Sequence, residues 1–422
     1  MDRPTKRQRD ASQHESFSTP TSIPDTDPQE TLDLWTQVTD YVMAEHDENT
    51  GAPTSGKKAK NAMGTSLFEP TIAAPRAIEI VEDVHIVKTQ NVWKHFGNAQ
   101  PSTSSRDEIG YYKGLPGLED TSVWLSTNAD FVEEVRNEWA ALREYGLNEG
   151  EHETTAYELL LKREKRRPGV EPKTQNFIPE RMIKMHIRPH PDDAWNAPPI
   201  IRRPSIVMGP DWSYVIKPDC MYWLSLQGFR HEYGSQMKDY VFVAGKRILS
   251  PYLSIEHKPD DKEYRKAKHQ IVCSAALAVF NRFQLRQTTL QRRGQPWADT
   301  DMDIVRHYGL HMMGRDYGFW LIRPIISPEG IWDGCRMERL VRGQLDIESE
   351  IKVFIHWLNE IHHWGLTVHA QAVRQDIDIC ISEDQGNQVQ SGSTRSVEGD
   401  SNNINEERPE PRYGLRSRPD TR

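Results

Sequence analysis

The spacing of apolar residues changes rhythm several times along this chain. From Asn128, the run ADFVEEVRNEWAALREYGL puts Phe131, Val135, Trp139 and Leu142 on one side at helical intervals. Asn128 or Asp130 can cap that helix and Gly146 can stop it. A second helical pattern, over about 151–165, carries Ala156, Tyr157, Leu160 and Leu161 and is broken by Pro168 and Gly169. Strand-like runs follow at 181–188 and 204–209, with His190, Asp192 and Asp193 in a Pro-rich turn between them. Residues 214–226, YVIKPDCMYWLSL, set β-branched and aromatic residues on both sides of Pro218 and Asp219. YLSIEHK, residues 252–258, is an apolar run that ends on an acid, a histidine and a lysine. The amphipathic stretch DKEYRKAKHQIVCSAALAVFNRFQLRQ comes next and predicts a long helix. Residues 304–313 and 317–326 bracket Gly314-Arg315-Asp316, which predicts a hairpin with a Gly-containing turn. A last helical pattern, over 347–361, turns Ile351, Phe354, Ile355, Leu358 and Ile361 inward.

Helices, then strands, a long helix and further strands predict one α/β domain over residues 78–382, with a central mixed sheet flanked by helices. Residues 1–77 lack periodicity except at 28–46, where Leu32, Trp35, Val38, Tyr41 and Val42 are spaced for a helix that docks through Trp35. The hydrophobic pattern is lost again from 383, so residues 383–422 are expected to form a disordered tail with a basic end. A hydrophobic content of 36% over 422 residues agrees with disordered ends.

Charge and composition narrow the classes. A net charge of −9 excludes a uniformly basic nucleic-acid binder, so any such contact comes from a local patch. No apolar run approaches the ~18 residues that span a bilayer, and MDRPTKRQRD lacks the apolar core of a secretory signal. Lys6-Arg7-Gln8-Arg9 and Lys57-Lys58-Ala59-Lys60 fit short basic import patterns, so an intracellular, nuclear protein is expected. Cys220, Cys273, Cys335 and Cys380 lie far apart without a C-x-x-C pair, which predicts buried free thiols. HWLNEIHHWGLTVHA carries His356, His362, His363 and His369 but lacks the His-Glu-x-x-His spacing of a zinc helix, and predicts packed or surface histidines.

The chemistry concentrates on two strands. Asp and Glu are seldom buried unless paired or metal-bound, yet Asp219 and Glu256 both stand at ends of apolar runs. Glu256 and Lys258, two apart in a strand, project to the same face. Pro-Asp occurs six times and acid-x-Lys four times in the chain, so the strings alone decide nothing. Context removes the others: Glu171 lies in a Pro-rich loop, Glu350 on a helix face and Asp260 beyond a strand end.

Pro218-Asp219 with Glu256-His257-Lys258 resembles the motif of the PD-(D/E)XK nuclease superfamily. The resemblance implies a restriction-endonuclease-like αβββαβ core and a phosphodiesterase that uses Mg2+ or Mn2+ on nucleic acid, DNA ahead of RNA. It implies Asp219, Glu256 and the carbonyl of His257 as metal ligands. Asp219, Glu256 and Lys258 would be the catalytic set, with Lys258 orienting or deprotonating the attacking water and offsetting phosphate charge. It further implies an acid from the first core helix, here Glu158 with Glu134 or Glu138 as substitutes, and a polar residue from the helix after the motif, here Gln270. The long separation of Asp219 from Glu256 departs from the pattern and requires an excursion near residues 230–247. Residues 258–293 carry nine basic residues against three acids, and Lys262, Lys266 and Lys268 are the expected phosphate contacts. A module of the same fold that has lost catalysis and binds nucleic acid or protein is the alternative. Over residues 124–380 the layout also resembles a fungal family of nuclease-like proteins.

Overall fold

Strands whose aromatic and aliphatic side chains are buried on both faces build an eight-stranded mixed sheet through the middle of this protein. In the computed structural model the described residues are 63–82, 92–97, 109–165, 177–189, 194–202, 214–229, 233, 236–245 and 247–393, with side chains described as far as 384. All of them belong to one compact unit, Pro53–Arg422. The helix expected over 28–46, both basic tetrapeptides, the turn at 190–193, the run 204–209 and the end of the tail lie outside the described residues.

The strands are β1 (Ile78–Val81), β2 (Pro179–Ile183), β3 (Cys220–Ser225), β4 (Val243–Ala244), β5 (Ile248–Lys258), β6 (His307–Met313), β7 (Asp316–Ile326) and β8 (Trp332–Gln344). Their order is β1-β8-β7-β6-β5-β3-β2, with β4 beside β5. β1 with β8 and β5 with β6 are parallel, and the remaining pairs are antiparallel. The expected hairpin is present: Met313 pairs with Asp316, and Gly314 turns with φ +54°. β8 has no counterpart in the sequence reading, because Arg336, Glu338 and Arg339 interrupt its apolar alternation.

Helix α1 (Ala129–Glu144) is capped by Asn128, whose Oδ1 accepts the Phe131 N–H at 2.9 Å. Its buried stripe is Val132, Val135, Trp139 and Leu142, and Phe131 is left half-buried. Gly146, at φ +59°, ends it as expected. Helix α2 (Glu149–Thr155) starts behind its own cap, Asn148, and runs on as a π-turn, Ala156–Leu160. Helix α3 (Tyr264–Arg292) is the long helix the pattern predicts, and α4 (Glu348–Trp364) buries the five apolar residues assigned to its inner face. Neighbouring residues of β6 show that these two helices cover opposite faces of the sheet. Gly309 presses on Ile271 of α3, while Tyr308 meets the Trp364 ring of α4 at 5.1 Å.

Two boundaries differ from the expected ones. The fold begins before residue 78, because Phe68, Ile72 and Ala73 are buried in the cluster that includes Ile271, Ala275 and Val279 of α3. Helix α5 (Ala370–Ser393) runs past 383, held against α3 by Asp376, which is fully buried between Arg282 and Arg286 at 2.7 Å each. All four cysteines are buried and free, as expected. No described helix is long and apolar enough to cross a membrane.

Four core histidines are held neutral. Ser254, Trp320, Tyr252 and Ser250 contact His307, His311, His362 and His369 respectively, at 2.8, 2.8, 2.8 and 3.1 Å. Burial pushes all four imidazoles down to about 3. The unfolded chain, with ordinary imidazoles near 6.5, binds those protons first, so these groups contribute full stability above pH ~6.5 and lose it as pH falls towards 3. Urea unfolding at pH 7 and pH 5 is expected to differ by on the order of a few kcal/mol, with His311→Gln reducing the difference. Gly334 provides a second check. It has φ +120°, and a Cβ there would meet the Ala77 carbonyl oxygen at 2.2 Å. Gly334→Ala is expected to cost at least about 2 kcal/mol in the same assay by forcing β1 off β8.

Candidate active site

The antiparallel register of β3 and β5 brings the two motif strands together. Cys220 pairs with Ile255, so Asp219, one residue earlier, arrives beside Glu256. The Asp219 carboxylate accepts the His257 N–H at 2.9 Å and lies 3.5 Å from the Lys258 ammonium. Its negative charge also acts on the neighbouring Glu256 carboxyl, which the strand register sets beside it. Asp219, Glu256 and Lys258 therefore converge on one spot, and the segment between the strands forms the expected excursion, which includes the short helical turn Met237–Asp239 and β4.

The electrostatics of that spot follow from burial. Glu256 is 1% exposed and its Oε2 has no hydrogen-bond partner. Burial first, and the negative Asp219 second, hold its carboxyl well above the usual carboxylate range against the pull of Lys258. Burial works against the Lys258 charge too, but Asp219, Glu256 and Glu149 together outweigh it and raise the ammonium above its ordinary range. Lys258 is thus a fixed cation at neutral pH, suited to orienting and neutralising an anion rather than accepting a proton. Its Nζ also donates to the His257 carbonyl. The His257 imidazole is pushed down to about 4 by burial, packs edge-on to Tyr157 at 5.4 Å, and leaves Nε2 buried without a partner.

The acids supplied by the preceding helix are Glu149 and Glu153, not Glu158. Glu149 Oε1 lies 3.6 Å from Lys258 Nζ. Glu153, 8% exposed, accepts from Lys184 Nζ at 2.7 Å and from the Tyr157 hydroxyl at 2.9 Å. Residues four apart share a helix face, so 149, 153 and 157 look inward, and Glu158 is exposed, as are Glu134 and Glu138 on α1. The signal was present in Asn148: a cap there starts the helix at Glu149 and sets this face.

Other expected residues divide. Gln270 is half-buried on α3 with a buried Oε1 that lacks a partner. Lys262 has 86% of its side chain exposed, 3.7 Å from Asp260, and Lys266 is half-exposed against Glu263 at 2.6 Å. Lys268 differs from the expectation. It is buried, with Nζ 3.1 Å from Glu69 and 2.6 Å from Glu82. Arg282, Arg286 and Arg292 are likewise taken up by Asp376, Asp301 and Asp384. Most of the basic excess of this helix is therefore internal, and the phosphate-facing share reduces to its first turns.

Two adjacent carboxyls, one with a buried orphan oxygen, form a hard-oxygen donor set that suits a magnesium or manganese ion. Of the pair only Asp219 is reachable, its side chain 16% exposed, and Glu149, 43% exposed, stands beside Lys258. Among the described residues no group of three or more His, Cys, Asp or Glu side chains is arranged to hold a metal, so main-chain or water oxygens would complete the shell. A cleft of about 400 Å3 lined by Asn196, Tyr240, Asn281 and Gln284 shares no residue with this site. Comparison of the chain with family models, curated proteins and solved structures finds no match.

Removal of either charge should have unequal effects. Glu256→Gln preserves shape and replaces a carboxyl already disposed to be neutral, so its metal-free stability is expected within about 1 kcal/mol of wild type. Lys258→Ala leaves the carboxyls without their cation and is expected to cost about 3 kcal/mol, measured by urea unfolding in EDTA.

Proposed function

We propose that this protein is a divalent-metal-dependent phosphodiesterase acting on nucleic acid, DNA ahead of RNA. The observation that carries the proposal is the meeting of Asp219 and Glu256 beside a buried, charged Lys258. The chain order supports it: α2, β2, β3, β5, α3 and β6 follow the αβββαβ succession of a restriction-endonuclease-like core, with β4 inserted before β5. Asp219 and Glu256 would hold the ion. When bound, a divalent ion polarises the scissile phosphate and acidifies water. Lys258 orients the phosphate and offsets its charge, and exposed Lys262 and Lys266 contact the backbone beside the site. The basic tetrapeptides at 6–9 and 57–60 fit nuclear residence alongside such a substrate.

Ion binding requires Glu256 as a carboxylate, so the raised carboxyl must give up its proton. Apparent Mn2+ affinity is therefore expected to rise with pH, by up to about tenfold per pH unit while Glu256 is protonated. Calorimetric titrations at pH 6, 7 and 8 check this, and a flat profile rejects it.

One observation favours a second reading, a nuclease fold kept for binding alone. The Lys258 ammonium already donates to the His257 carbonyl that would be a metal ligand, so an internal cation occupies part of the cradle. Labelled duplex DNA, single-stranded DNA and RNA incubated with Mg2+ or EDTA separate the two. Metal-dependent cleavage that falls about a hundredfold or more in Lys258→Ala and Glu256→Gln is expected for the enzyme. Binding without cleavage by the intact protein assigns the second reading.

A further inference from the structure

Asp219 stands just ahead of β3, so something other than a full strand ladder must fix its main chain. Its carbonyl oxygen accepts the Lys184 N–H at 3.0 Å and lies 3.1 Å from the Tyr157 hydroxyl, whose single proton is shared between this carbonyl and Glu153. Lys184 makes its contact from a left-handed conformation, φ +50°, which a residue with a Cβ adopts at a cost. The Tyr157 hydroxyl lies 2.9 Å from Glu153 Oε1 as well, and the other Glu153 oxygen holds Lys184 Nζ at 2.7 Å. One buried carboxylate thus ties together the two groups that hold the Asp219 carbonyl.

The ring that carries this hydroxyl is itself fixed. The Arg181 guanidinium lies 5.0 Å over it, and Arg181 donates to the Tyr157 carbonyl at 3.0 Å. The His257 ring packs against the Tyr157 ring edge-on, with centroids 5.4 Å apart. Tyr157 also lies in the π-turn Ala156–Leu160. Such single turns recur at functional sites in α-helices.

We propose that Tyr157 is a positioning residue for Asp219, and that its hydroxyl sets the place of that carboxylate beside Glu256 and so the affinity of the pair for a divalent cation. The proposal rests on reading Asp219 and Glu256 as a cation site. Tyr157 does not itself touch the ion; its role is to hold the residue that does. Removing an outer partner of this kind weakens metal affinity by about 10- to 100-fold in metalloproteins generally.

The test compares full-length wild type, Tyr157→Phe, Glu256→Gln and Tyr317→Phe by calorimetric Mn2+ titration and by thermal melting in EDTA. Tyr317 is the control: its hydroxyl also donates to a main-chain carbonyl, Glu350 at 2.7 Å, but on β7 and from a fully buried ring where that of Tyr157 is half-buried. Tyr157→Phe is expected to bind Mn2+ at least about tenfold more weakly, with a melting shift no larger than that of Tyr317→Phe. Tyr317→Phe is expected to melt lower with unchanged Mn2+ affinity. If Tyr157→Phe binds Mn2+ like wild type while Glu256→Gln does not bind, the cation site stands and the positioning role is overturned. If wild type itself fails to bind Mn2+, the cation reading and the positioning role fall together.

Discussion

A carboxyl shut inside a sheet next to a second acid is the constraint around which this fold is arranged. Glu256 has almost no contact with water, and the strand register sets the negative Asp219 beside it. Burial and the neighbouring negative charge both work against ionisation of Glu256. The protein's own answer is Lys258, drawn into the same space and kept charged by the acids around it, Asp219 first. A hydrophobic pair of the same volume would satisfy the strands more simply, so the buried charges here are not explained by stability alone.

The surrounding architecture serves that spot. β5 changes its facing partway along: the register with β3 shifts between Tyr222 and Leu224, and Ser250 takes φ +42°. Beyond this irregularity Glu256 comes level with His311 of β6, whose own side chain is on the α3 side near Tyr264. On the opposite side Cys220, Tyr222 and Tyr252 pack towards α2 and α4. The bulge therefore lets an apolar strand deliver polar residues to one face while its other face stays packed.

Strands β3, β5, β6 and β7 and helices α1, α3 and α4 were legible in the sequence from their apolar runs and spacing, whereas α5 had no counterpart there. The 314–316 turn, the α1 cap and the inward face of α4 needed nothing beyond local pattern. β8 was not legible, since its charged residues pair with neighbours, Glu338 with Arg323 and Arg336, instead of signalling a solvent face. The motif residues Asp219, Glu256 and Lys258 were found from their odd position at apolar strand ends. Glu149 and Glu153 were passed over for Glu158 because the helix was started too late by two residues, enough to rotate a different acid inward. Lys268 misled for another reason: a lysine on an amphipathic helix reads as solvated, and its partners Glu69 and Glu82 are some two hundred residues earlier, where no local period can reveal them.

That distant pairing has a bearing on where this protein can be cut. Tyr264 and Arg339 join the same group through Glu82, so the leading segment is stitched to α3 and β8 by charge as well as by Phe68 and Ile72. A shortened version beginning at residue 78 would expose an apolar groove and strip Lys268 of Glu69, one of its two acids. The segment 63–77 is thus part of the core rather than a leader to it, as is the helix that carries Asp376.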